Sequence, residues 1–296
     1  MSRDYAVVAT AAGDTVRVIA ARTTNLVREA QARHGCSPTV TAALGRLLTG
    51  AALVGMSLSG RERATLQVNG TGPVRFLVAD ARPGGRVRGY PGRARAEVPL
   101  NALGKFDVGA VVGRGSLHVT RIYDTGLPYT SAVPLQTGEI GDDLAYFFAN
   151  SEQVPSVVAV GVLANPQGVL AAGGILAQLL PGADTATIEQ LETAARSLPQ
   201  VSALVRAGTT PEEMVEHVAH GLGPRVGLVQ PLAFACPCDR TRVIRALVTL
   251  GVDQLIEMSE ADEDTEATCD FCGQRYYFSP DEISEILESA SGEGAL

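Results

Sequence analysis

Val40, Leu44, Leu47, Leu48 and Ala51 recur at helical spacing, and the helix they predict opens at Ser37-Pro38 and buries that face as ordinary core. Just ahead of it, Thr23-Thr24-Asn25 leads into LVREAQARHG, which reads as a capped helix with Gly35 at the position that favours a left-handed backbone. From Arg63 to Gly89 the pattern shortens to the β-rich runs TLQV, VRFLVAD and GRVRGY. Asn69-Gly70-Thr71-Gly72 and Pro83-Gly84-Gly85 separate them, so a meander is predicted. GSLHVTRIY and YTSAVPLQ flank Asp124-Thr125-Gly126 as a hairpin, and VVAVGVL and GVLAAGGILAQLL flank Asn165-Pro166-Gln167-Gly168 as another. Between these hairpins, Leu144, Phe147 and Phe148 share helical spacing and predict a short helix. Past Pro181-Gly182 no further strand is expected. Thr187-x-x-Gln190 and Thr210-Pro211-Glu212-Glu213 are capping-box patterns that predict two helices, the second with proline at its first position and ended by Gly221, Gly223 and Pro224.

This order predicts the α+β class, with a mixed body over residues 1–180, a helical connector over 181–230 and a small C-terminal cysteine-bearing domain over 231–296. The length of 296 residues and the 46% apolar content are enough for one large core and a smaller appendage. The formal charge of -8 is unevenly spread: Ser259 to Leu296 holds eleven acidic residues against Arg275 alone, which leaves +2 for residues 1–258. Neither part has the clustered Lys and Arg that phosphate binding demands, so nucleic acid is not an expected partner. The N-terminus MSRDYAVVATAAGD lacks a long apolar run, and Arg46 interrupts the most apolar stretch, Ala42 to Leu58. No membrane association and a cytoplasmic location are therefore expected.

Five cysteines in a chain of this length are too sparse for a secreted disulfide scaffold, and clustered cysteines in a reducing compartment point to metal or redox chemistry. Cys236-Pro237-Cys238 and Cys269-Asp270-Phe271-Cys272 form C-x-C-x30-C-x-x-C. Two short chelating pairs bring four sulfurs to one ion at about 2.3 Å, as a closed tetrahedral zinc site requires. An iron–sulfur cluster is the rival occupant of a four-cysteine site. Few large apolar residues lie between Cys238 and Leu296, so ligation is expected to supply much of that segment's stability, on the order of 10–16 kcal/mol in zinc-finger-like peptides. The spacing fits a permanent structural zinc and also a redox switch, since metal-bound sulfur keeps the thiolate character that oxidants attack. A thioredoxin-like use of Cys269 and Cys272 lacks the strand and βαβ context it needs.

Other chemistry is thin. Cys36 belongs to neither pair and reads as an ordinary thiol, while Pro237 biases Cys236 toward extended geometry. The histidines are His34, His118, His217 and His220; the last two fall three apart on a predicted helix with no third ligand near. Glu139, Asp142 and Asp143 suit the first turn of a helix, where negative charge is favoured. No G-x-G-x-x-G, P-loop or G-x-S-x-G is present, so no enzymatic activity is expected.

VRGY at Val87 to Tyr90, GSLHVTRIYDTGLPY at Gly115 to Tyr129, GEIGDDLAYFFANSEQ at Gly138 to Gln153, GVLAAGGILAQLLPG and CDFCGQRYYFSPDEI join the cysteine spacing in a further likeness. Over nearly its whole length the chain resembles the redox-regulated 33 kDa heat-shock protein family, ATP-independent holdase chaperones of the bacterial cytoplasm. The resemblance implies that Cys236, Cys238, Cys269 and Cys272 hold one zinc ion in a reduced, inactive monomer, with the tail covering an apolar face of the body. It further implies that oxidation joins Cys236 to Cys238 and Cys269 to Cys272, expels the metal and disorders the tail and then the connector. The surface so uncovered would bind unfolding client proteins, and the oxidised form would be a homodimer. The alternative is a protein-binding module stabilised by a permanent structural zinc, without redox switching.

Overall fold

A hairpin opens the chain: β1 (Tyr5–Ala11) and β2 (Val16–Arg22) pair antiparallel, with Ala11 opposite Val16. The computed structural model describes residues 3–124, 127–165 and 167–293, with side chains to residue 289. Helices α1 (Thr24–His34) and α2 (Pro38–Gly55) follow at the predicted places. Gly35 closes α1 at φ 60, and the Ser37 hydroxyl accepts the Val40 N–H to cap α2. The cap of α1 differs from the reading of its sequence. Thr23 turns its hydroxyl to Thr49 at 2.7 Å, and the orphan Leu26 N–H is instead taken by the carboxylate of Asp4 at 2.8 Å.

The meander is β3 (Arg63–Gly70), β4 (Phe76–Arg82) and β5 (Arg86–Pro91), followed by the one-turn α3 (Val108–Val112) and the hairpin β6 (Gly115–Ile122) and β7 (Tyr129–Pro134). Thr125 and Gly126 of its predicted turn lie outside the described residues. Then come α4 (Gly141–Asn150), β8 (Ser156–Asn165) and β9 (Gly168–Leu179), with Pro166 of the second turn also outside them. Three helices occupy the next stretch where two were predicted: α5 (Thr185–Ser197), α6 (Val201–Ala207) and α7 (Pro211–Val218). Asp184 caps α5 by accepting the Thr187 N–H at 2.8 Å, so Thr187 already lies within the first turn. Thr210 and Glu213 do form the predicted reciprocal capping box of α7.

Strands do not stop at Pro181-Gly182. Strand β10 (Arg225–Pro231) pairs antiparallel with β1, and β11 (Ala233–Phe234) pairs parallel with β5. One sheet therefore runs β10-β1-β2-β9-β8 and the other β11-β5-β4-β3-β6-β7. Helix α2 packs against strands of both sheets, and 15 of its 18 residues are buried, which is why its sequence is apolar or small almost all round. Arg46, the one charge on it, is only partly buried and pairs with Glu139. The first sheet is covered on its other face by α6 and α7, through a second core that includes Val7, Val18, Ile175, Val205, Met214 and Val215.

The link from β10 to β11 is held closely. Gly85 has φ +70, and a β-carbon there would sit 2.0 Å from the Pro231 carbonyl oxygen, so only glycine fits without movement. The Asp4 carbonyl accepts the Leu232 N–H at 3.1 Å. The chain then divides between Ala235 and Cys236 into two compact units. The second contains α8 (Arg240–Val248), α9 (Val252–Ser259), the hairpin β12 (Thr265–Thr268) and β13 (Arg275–Phe278), and α10 (Pro280–Glu293). Its core is small: Leu247, Leu255, Phe278, Ile283 and Ile286. Among the described residues no helix is long and apolar enough to cross a membrane.

Candidate metal centre

Cys236 and Cys238 lie on the extended segment that enters α8, where Asp239 caps the helix by accepting the Arg242 N–H at 2.8 Å. Cys269 and Cys272 lie on the turn between β12 and β13. That turn is closed by the Cys269 N–H on the Gln274 carbonyl at 2.9 Å. The Cys272 and Gly273 N–H groups both reach back to the Cys269 carbonyl, at 3.2 and 2.7 Å, and Gly273 takes φ 70 to allow it. The turn thereby presents two sulfurs on one side.

All four sulfurs lie within 4.8 Å of one another. Close approaches run between the segments, Cys236 to Cys269 at 3.8 Å and Cys238 to Cys272 at 3.2 Å. A tetrahedron with metal–sulfur bonds of about 2.3 Å has edges of about 3.8 Å, so this spread encloses one ion of that kind. Cys272 is buried and the other three are half-buried, as in a closed structural site. Burial pushes the Cys269 thiol up, aided by the Cys236 sulfur beside it, and burial pushes Cys272 up further. Four thiolates this close need a cation to balance them, and the donor set supplies ligands for one.

Among the described residues no other group of three or more His, Cys, Asp or Glu side chains converges to hold an ion. His217 is on α7, but His220 lies past its end, so the two do not share a helix face as predicted. Asp143 is consumed structurally: its carboxylate accepts the N–H groups of Gln136, Thr137, Gly138 and Ile140. Cys36 sits in the first unit, buried, its thiol pushed up to about 12 by desolvation.

The sequence reading missed Tyr276, whose hydroxyl donates to Cys238 Sγ at 3.3 Å. Its position four residues beyond Cys272 is plain, but a contact across 38 residues leaves no local signal.

A two-sheet α+β unit followed by a module that gathers four sulfurs is a thiol-bearing protein equipped to bind a metal. The Hsp33 protein family model matches residues 4–279, and the chain belongs to that family, a family of chaperones. The 33 kDa chaperonin of Bacillus subtilis (strain 168) is 41% identical over 292 residues, covering 97% of this chain and 99% of the relative. That of Geobacillus sp. (strain WCH70) is 40% identical over 293 residues, covering 98% and 99%. The crystal structure of the 33 kDa chaperonin, a heat shock protein 33 homolog, from Thermotoga maritima superposes with a TM-score of 0.90 at 36% identity, covering 99% of this chain and all of that one. Membership in a chaperone family implies unfolded proteins as binding partners.

Proposed function

We propose that this chain is a redox-regulated, ATP-independent holdase that is inactive when reduced and binds unfolding proteins when oxidised. The observation that supports it most is the convergence of Cys236, Cys238, Cys269 and Cys272, two from each of two segments, on a module whose core, among the described residues, is a cluster of five buried apolar side chains. When bound, zinc supplies four metal–sulfur bonds and with them much of that module's folding free energy, on the order of 10 kcal/mol.

Oxidation joins Cys236 to Cys238 and Cys269 to Cys272. For each pair, two thiolates lose two electrons to one hydrogen peroxide, which takes two protons and leaves as two waters. The near sulfur contacts at present tie one segment to the other. Pairing within segments removes those ties and all four ligands, and loops of one and two intervening residues constrain the chain too little to replace them. The C-terminal domain, 231–296, then loses its fold.

The helical connector, 181–230, follows. Its helices cover an apolar sheet face that includes Val7, Val18, Ala20 and Ile175 in the body, 1–180. Disorder of the connector bares that face for clients, and apolar patches of this kind also favour a homodimer of the oxidised form, against a reduced monomer. The cytoplasm, which keeps thiols reduced, is the compartment such a switch needs, and re-reduction reverses it.

The test is direct. Peroxide with mild heat is expected to release one zinc per chain, and the oxidised protein, unlike the reduced one, to suppress aggregation of an unfolding client. Activity indifferent to oxidation would leave the permanent-zinc module as the reading. Elemental analysis showing iron with visible absorption would overturn zinc.

A further inference from the structure

We propose that Tyr276 is a positioning residue of the four-sulfur centre, its hydroxyl holding Cys238 Sγ in place and damping the reactivity of that one sulfur. The inference rests on the metal-centre reading above. Strand β13 alternates, with Arg275 and Tyr277 exposed while Tyr276 and Phe278 face inward. The Tyr276 ring packs against the small core, and its strand position opposite Ala267 fixes where the hydroxyl ends. From there the O–H donates to Cys238 Sγ at 3.3 Å. The bond spans 38 positions: it goes to Cys238 in the first pair, although Cys269 and Cys272 are nearer in sequence.

Two effects follow from that bond. A hydrogen bond to a metal-bound thiolate withdraws charge from sulfur, so zinc-held Cys238 attacks electrophiles more slowly than its exposure alone implies. The bond also orients the sulfur toward the other three before a metal arrives, the role that outer-shell donors play around metal ligands. Arg240 helps hold the same join: it donates to the Tyr277 carbonyl at 2.9 Å, but it touches no sulfur. The backbone N–H groups of Phe271 and Gln274 reach Cys269 and Cys272, and the Tyr276 hydroxyl reaches Cys238.

The experiment uses the full reduced chain, wild type, Tyr276→Phe, and Tyr277→Phe as a control on the exposed face of the same strand. Phenylalanine keeps the ring and its packing and removes only the donor. In competition with a chromogenic zinc chelator, Tyr276→Phe is expected to lose about tenfold in apparent affinity and Tyr277→Phe to match wild type. Peptide-mapped alkylation by iodoacetamide, run on zinc-loaded protein, is expected to show Cys238 reacting severalfold faster in Tyr276→Phe relative to Cys236, Cys269 and Cys272. A role in packing alone, or a variant that fails to fold, accelerates all four sulfurs alike, and that outcome overturns the proposal. So do unchanged rates. Wild-type protein that takes up no zinc overturns the metal-centre reading instead, whereas a Cys238 ratio unchanged by loss of the donor in zinc-loaded protein overturns only the role of Tyr276.

Discussion

Cys36 and Cys272 are both buried, yet burial has opposite meanings for them. Desolvation alone pushes Cys36 up to about 12, so it carries almost no thiolate at neutral pH and offers oxidants nothing. Cys272 is surrounded by three other sulfurs that a cation can satisfy together. Cys36→Ser is expected to leave zinc content and the peroxide response unchanged, measured by elemental analysis and client aggregation. Asp4 offers a second residue-scale test. Burial pushes its carboxyl up to about 6 despite the Leu26 N–H it accepts. Its folded value lies above its unfolded one, so the neutral form stabilises the fold fully below about pH 4, and that contribution is lost as pH rises through about 6. Melting temperatures from pH 4 to 7.5 are expected to show wild type losing stability relative to Asp4→Asn across that window. The four cysteines were legible because their spacing is local. Asp4 as the partner of α1 and Tyr276 as the partner of Cys238 were not, since both bonds join residues far apart in the chain.

Elements with a regular apolar pattern announced themselves, as α2, α4 and the β3–β5 meander show. Strand β10 did not, because six of its seven residues are exposed and it carries no alternation to read. It exists because β1 offers a partner. The start of α5 was misplaced by less than a turn, since Asp184 and Thr187 are both acceptable caps and only the backbone decides between them. Gly85 holds the β11 side of the join, and Gly85→Ala forces a side chain both into positive φ and against Pro231. A loss of about 1–3 kcal/mol is expected, with faster hydrogen exchange at the Ala233 and Ala235 amides that bond to Gly85 and Val87. The core of the second unit escaped notice because Leu247, Leu255, Phe278, Ile283 and Ile286 are scattered over 40 residues. Leu255→Ala is expected to cost about 2–5 kcal/mol there and to weaken zinc retention, as chelator competition can measure.

At the scale of the whole molecule, the two units draw their stability from different sources. The first has two apolar cores, on either face of a five-stranded sheet. The second has a core cluster of five buried apolar side chains among the described residues, and residues 259–296 bring eleven acidic groups against a single arginine. Stripping metal from the reduced protein with a chelator is expected to raise hydrogen exchange throughout residues 236–289 while the strands of the first unit stay protected.

The interleaving of the sulfurs sets a fork for the oxidised chain. Bonds made where the atoms already lie, Cys236 with Cys269 and Cys238 with Cys272, would be staples across spans of 33 and 34 positions and would lock the module shut. Release demands instead bonds within each segment, Cys236 with Cys238 and Cys269 with Cys272, which leave the two segments free of one another. A protein trapped with crossed bonds would thus be oxidised and silent, and mass mapping of its linkages would tell the clasp from the opened form.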